Sequence, residues 1–147
     1  MYFISVTRLR IRSIIYLPGF LLANEASIRS IKKIGGFISG AELIDKRLTF
    51  WTVTLWESDA AMKYFRNNDP HKTAMRKLPT WCNEGAYVHW EQEDAVIPDW
   101  GFAYKKLMTE GKLTKIKHPS ANQSDMNYPA PLWTRTGRSF KASKNRT

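Results

Sequence analysis

The segment Leu48–Trp56 carries large apolar side chains on both of its alternating faces. Phe50 and Trp56 point one way; Trp51, Val53 and Leu55 point the other. Period-two alternation in a run of Thr, Val and aromatics is a strand signature. An antiparallel sheet with one wet side needs apolar residues on one face alone. This strand needs cover on both, because leaving Trp51, Val53 and Leu55 in water forgoes about 1.5–3 kcal/mol for each. A second copy of the same sheet would supply that cover, which predicts a homodimer with two sheets packed face to face. The alternative is a C-terminal segment that folds back over this face.

The neighbouring segments set the fold class. Tyr2–Leu9 alternates as a first strand, with Tyr2, Ile4 and Val6 opposite Phe3, Ser5 and Thr7. A helix is expected from about Pro18 to Ile34, with Leu17, Leu21, Ile28 and Ile31 at helical spacing, cations in its last turn, and Gly35-Gly36 as its stop. Phe37–Ile44 is a second strand, joined by Asp45-Lys46-Arg47 to the two-faced third. Ser58 suits the N-cap of a helix through about Arg66. His71–Leu78 continues in helical phase up to Pro79. Ala86–Glu93 alternates as a fourth strand, and Pro98–Gly111 reads as one more short helix. Strand–helix–strand–strand–helix–strand is the βαββαβ order of a ferredoxin-like α+β sandwich with an antiparallel sheet.

Charge divides the chain. The net charge is +10 over 147 residues. Residues 1–100 carry 13 Lys and Arg against 11 Asp and Glu, whereas residues 101–147 carry 10 against 2. The basicity therefore belongs to the C-terminal third. We read residues 1–118 as the folded domain and 119–147 as a basic Pro/Ser-rich arm or tail outside the core. No nucleic-acid-binding motif accompanies the charge, so a nucleic-acid partner is not expected. Ile14–Ala23 is apolar and follows three arginines, like a leader. Pro18-Gly19 interrupts it, and ten residues are too few to span a bilayer, so the chain is read as cytoplasmic with no membrane partner. One cysteine, Cys82, excludes a disulfide within the chain.

Candidate chemistry sits on a few side chains. His71, Ala74, Met75 and Leu78 have i, i+3, i+4, i+7 spacing, which puts the imidazole on an apolar helical face. Trp51, Trp56, Trp81 and Trp90 supply flat surface for a pocket or for packing. His89 lies within the fourth strand. The three histidines are far apart with no metal-ligand spacing, so no metal is expected. Arg8, Arg10 and Arg12 share a face of the first strand, either as a basic mouth or as a solvated strand edge. Cys82 is read as a small apolar filler.

The run Phe50-Trp51-Thr52-Val53-Thr54-Leu55-Trp56-Glu57-Ser58, then Met62, Phe65 and Asp69-Pro70-His71, resembles the dimeric α+β barrel proteins related to antibiotic-biosynthesis monooxygenases. In those, a strand ending in Trp-Glu-Ser leads into a helix, and a short segment opening with His follows. Trp81-Cys82-Asn83-Glu84, His89-Trp90 and Pro98-Asp99-Trp100 resemble a bacterial branch of that superfamily, distantly similar to spheroidene monooxygenase. The resemblance covers about residues 1–118. It implies a ferredoxin-like domain dimerising into an α+β barrel, and a monooxygenase-like protein acting on a small hydrophobic or aromatic substrate between helices and sheet. His71 would be the catalytic acid/base, with Trp51, Trp56, Trp81, His89 and Met75 against the substrate. No cofactor is expected, since such enzymes let an electron-rich substrate react with oxygen directly. The haem-degrading members place their ligand a turn further on, near Ala74 or Met75, and the chain departs from that pattern. The alternative is a non-enzymatic dimeric protein that holds a hydrophobic ligand or haem.

Overall fold

The alternation at Tyr2–Ile11 produces a central strand, β1, paired antiparallel on both edges in a computed structural model that describes residues 1–135 and 137–144. Its partners are β3 (Thr49–Trp56) and β4 (Cys82–Gln92); β2 (Phe37–Asp45) pairs with β3. Two short strands, β5 (Lys112–Leu113) and β6 (Arg138–Lys141), extend the edges, giving the order β5-β4-β1-β3-β2-β6. The four long strands reproduce the expected ferredoxin-like arrangement.

Three helices cover one face. A 3-10 turn at Ile14–Tyr16 precedes α1 (Leu17–Ile31), with Pro18 in its first turn where no intrahelical N–H bond is required. Ser58 caps α2 (Asp59–Arg66) by accepting from the Ala61 amide at 3.2 Å. α3 runs His71–Trp81, three residues beyond the expected stop at Leu78. Pro79 lies inside its last turn, where the Cys82 amide bonds the Leu78 carbonyl and the Lys117 amide satisfies the Pro79 carbonyl at 3.0 Å. Trp81 thereby sits on a helix and faces the sheet. The β2–β3 hairpin turns without glycine, with Arg47 and Leu48 both left-handed at φ 59° and 58°, as the right-handed twist of hairpin strands favours.

The opposite face is covered too, by a later part of the same chain. Trp51, Val53 and Leu55 are fully buried within one chain. Their cover is Ala103 and Leu107 of α4 (Trp100–Glu110) and Tyr128 of the following segment. The second arrangement considered for this face, a C-terminal fold-back, is the one adopted, and the packing reason for expecting a homodimer is removed. The segment after residue 118 is likewise no loose tail. Gln123 exchanges side-chain hydrogen bonds with the Gly85 backbone at 2.9 and 3.0 Å, and the Tyr128 hydroxyl donates to Gln123. Asp45 accepts from the Leu132 and Trp133 amides at 3.0 and 2.9 Å. Of the arm, Thr136 and residues 145–147 lie outside the described residues.

Arg8 is neither a basic mouth nor a solvated edge. It is on the central strand, buried, with its guanidinium 2.7 Å from Glu84 and 4.0 Å from the Tyr128 ring centroid. Cys82 is buried and unbridged, and burial pushes its thiol up to about 12, as suits a filler. No described helix is long and apolar enough to cross a membrane.

Candidate functional site

The strand register fixes the floor of a pocket. Residues directly opposite in an antiparallel pair share a face. Thr54, Ser5 and His89 form one such row across β3, β1 and β4, and Thr52, Thr7 and Tyr87 form the next. The reverse face of the same strands carries Leu55–Ile4–Trp90 and Val53–Val6–Val88. One side of the sheet is therefore filled with large apolar groups, and the other bears small hydroxyl side chains beneath helices. Ser and Thr are too short to fill the space beneath the helices, and a cavity of about 370 Å³ results.

Its walls are mainly apolar. α1 contributes Phe20, Ala23, Ile28 and Ile31; α2 contributes Met62 and Phe65; α3 contributes Ala74, Met75, Leu78 and Trp81. Trp56 closes one end with its indole N–H on the Thr54 hydroxyl at 2.9 Å. Phe140 of β6 reaches over the other side of β2 and also lines the cavity. It does so by lying on Gly40, where a Cβ would collide with the ring, so glycine is required there for close approach.

Polar groups are few. Among the described residues the hydroxyls of Ser5, Thr7 and Thr52 have no hydrogen-bond partner. Asn24 of α1 lines the cavity, and Glu42 is the register neighbour of Thr52 on β2. Burial raises the Glu42 carboxyl above its ordinary range, while nearby Asn24 and Arg138 oppose that rise. Arg66, His71 and His89 converge at the α2–α3 end.

His71 opens α3, and its ring stacks on Phe65 at 4.5 Å between centroids. Its Nδ1 is enclosed with no hydrogen-bond partner. Burial, reinforced by the Arg66 charge, lowers its pKa to about 4. The ring is thus neutral near pH 7, and Nε2 is the nitrogen left for a ligand. Burial and Arg66 also lower His89. A histidine depressed on folding contributes stability fully above its unfolded value near 6.5 and loses it as pH falls toward 4. The wild-type protein should therefore lose unfolding free energy between pH 7 and pH 4.5, and His71→Gln should lose less. Urea unfolding at those two pH values measures this.

Of the six residues singled out from sequence, His71, Met75, Trp56, Trp81 and His89 are brought together around this cavity. Trp51 is not. It points to the reverse face, packed against Tyr104 and Arg8, because odd-numbered β3 residues face α4. Trp90 is on that reverse face too. The hydroxyl floor, Arg66 and Phe20 were missed. The floor had a signal: Ser5, Thr7, Thr52 and Thr54 all lie opposite the apolar faces of their strands. Among the described residues no cluster of three or more His, Cys, Asp and Glu is placed to hold a metal ion.

No family model and no curated protein matches the chain. Solved structures do. SnoaB, described as a cofactor-independent oxygenase from Streptomyces nogalater, superposes with a TM-score of 0.53 at 11% identity, over 65% of this chain and 96% of its own. Rv0793 from Mycobacterium tuberculosis gives 0.58 at 11%, over 64% and 97%. A protein described as an antibiotic biosynthesis monooxygenase gives 0.56 at 9%, over 63% and 99%. At such identities the likeness concerns architecture: this chain has the ferredoxin-like α+β fold of the antibiotic-biosynthesis-monooxygenase-like proteins.

Proposed function

We propose that the cavity is the site of a cofactor-independent monooxygenation of a small, electron-rich aromatic molecule. The observation that carries this is the cavity itself, with aromatic and aliphatic walls over a floor of unpartnered hydroxyls. Such lining excludes water from a flat ring and offers a few hydrogen bonds to its oxygens. The fold shared with SnoaB supports the reaction class.

For a dihydroxyaromatic substrate the chemistry closes without a further reductant. The substrate passes an electron to O2, and the radical pair combines to form a ring C–O bond and a peroxide. The O–O bond then breaks. One oxygen stays on the ring as a hydroxyquinone, and the other leaves as water with the two hydrogens the substrate has lost. His71, neutral and with Nε2 available, suits a hydrogen-bonding role toward a substrate hydroxyl. Met75 and Trp81 would hold the ring against the hydroxyl floor.

Oxygen uptake by purified protein over a panel of dihydroxynaphthalenes and hydroquinones tests the reading. The expected result is uptake of one O2 per hydroxyquinone formed, reduced at least about tenfold in His71→Ala, as the loss of a positioned hydrogen-bonding group predicts. Uptake absent across the panel overturns it. A Soret band on the purified protein, abolished in His71→Ala, overturns it in favour of haem binding.

A further inference from the structure

We propose that the cavity contains an anion subsite centred on Arg66, so that its ligand is an aromatic molecule bearing an ionised oxygen, a phenolate or a carboxylate. This rests on reading the cavity as an aromatic-ligand site, and names the chemistry of that ligand.

Arg66 is the last residue of α2, half-buried, and its side chain lines the cavity. Among the described residues it is the sole formally charged side chain in that lining. Among the described residues its side chain has no ion pair and no hydrogen bond. A guanidinium carries five donors in a planar fork that matches an oxyanion. Half-buried beside apolar walls, the guanidinium keeps part of its contact with water and still has donors free to meet an anion entering the cavity. The last turn of a helix favours a cation by about 0.3–1 kcal/mol. That accounts for a basic residue at this position, but not for a side chain turned into the cavity.

The surrounding charges do not neutralise it. His71 and His89 flank it in the lining, and burial keeps both neutral near pH 7. Asp59, also felt at His89, is paired with Lys63 at 2.9 Å. Glu42 is paired with Arg138 at 3.3 Å. Lys112 adds a second positive field at His89. This end of the cavity is therefore positive, with neutral imidazoles available for hydrogen bonds and with Thr7 and Thr52 on the floor. A ring oxygen ionised against Arg66 is also the more electron-rich form of the substrate.

Probe binding separates the arms. Tryptophan fluorescence should report 2-naphthoate binding at least about tenfold more tightly than 2-naphthylmethanol at pH 7. 4-Nitrophenol, followed by its absorbance, should ionise at a pH about one unit lower when bound, a tenfold shift toward the phenolate. A naphthoate preference without a nitrophenol shift assigns the subsite to carboxylates, and the reverse assigns it to phenolates. Arg66→Gln should abolish both effects and leave 2-naphthylmethanol within about twofold, while Arg66→Lys should retain part of the preference. If Arg66→Gln does not fold, the two wild-type readouts decide. Binding of the neutral probe with no preference for the anion and no nitrophenol shift overturns the subsite and leaves the aromatic pocket standing. Binding of none of the probes overturns both. Anion preference without oxygen uptake supports the subsite and removes the oxygenase.

Discussion

Glu84→Ala lowers the unfolding free energy by about 3–5 kcal/mol, the expected cost of removing one member of a buried ion pair. The Glu84 carboxylate accepts from Arg8 at 2.7 Å, from Arg10 at 3.2 Å and from the Ser120 hydroxyl at 2.7 Å. The Arg8 and Glu84 side chains are only 3% and 2% exposed. Without the carboxylate, Arg8 keeps its charge under the Tyr128 ring with no anion to meet it. The loss comes from that stranded charge, not from the pair's net strength. Arg8→Met/Glu84→Leu should therefore be more stable than Glu84→Leu alone, and a double-mutant cycle in urea measures the coupling.

The same carboxylate shapes the acid limb. Burial pulls Glu84 upward, but the Ser120 and Arg8 hydrogen bonds and the charges of Arg8 and Arg10 hold it below the ordinary 4.5. A carboxyl depressed on folding contributes stability above its unfolded value and loses it as pH falls through its folded one. Acid unfolding below about pH 4.5 should therefore be shallower in Glu84→Ala than in wild type. Ser120 lies beyond the expected domain edge at 118, so this cluster also ties the arm to the sheet.

Local patterning made the sheet readable. Alternation placed Ile4 and Val6 opposite Ser5 and Thr7, and Trp51 and Val53 opposite Thr52 and Thr54, which the register confirms. The two-faced third strand required two covering layers, and two layers exist. Which layer covers the second face was not legible. Trp51 is as well buried in a cluster with Leu107 and Tyr128 of its own chain as it would be by a second sheet, and periodicity says nothing of contacts with residues 56 and 77 positions later. Arg8 hid for the same reason. Its alternation with Arg10 and Arg12 suggests exposure, and only the distant Glu84 makes burial tolerable. At the cavity, His71 and Met75 were legible because their helix has an apolar face at fixed spacing. Arg66 was not, because a basic residue in a last turn is the ordinary pattern of a solvated helix end.

Thr7→Trp is expected to abolish ligand binding and oxygen uptake, each by at least about a hundredfold, with unfolding free energy within about 2 kcal/mol of the parent. Thr7 is at the centre of the floor, between Thr52 and Tyr87 on the neighbouring strands. An indole there projects into a space of about 370 Å³ and occupies the volume a ring substrate needs. Overpacking a filled core is destabilising, but here the added group enters a void, so activity and stability separate. Thr7→Val is the control. It keeps the shape and removes the hydroxyl, so it should weaken binding by about tenfold at most, the worth of one hydrogen bond. The reverse face supplies the opposite result. Val6→Ala, one residue away on β1, leaves a void in the packed core under α4 and should lower stability by about 1–3 kcal/mol with probe affinity unchanged. If Thr7→Trp binds 2-naphthoate and 2-naphthylmethanol as the parent does, the ligand is held elsewhere. The small hydroxyl face would then be a packing defect of the sheet, not the floor of a site.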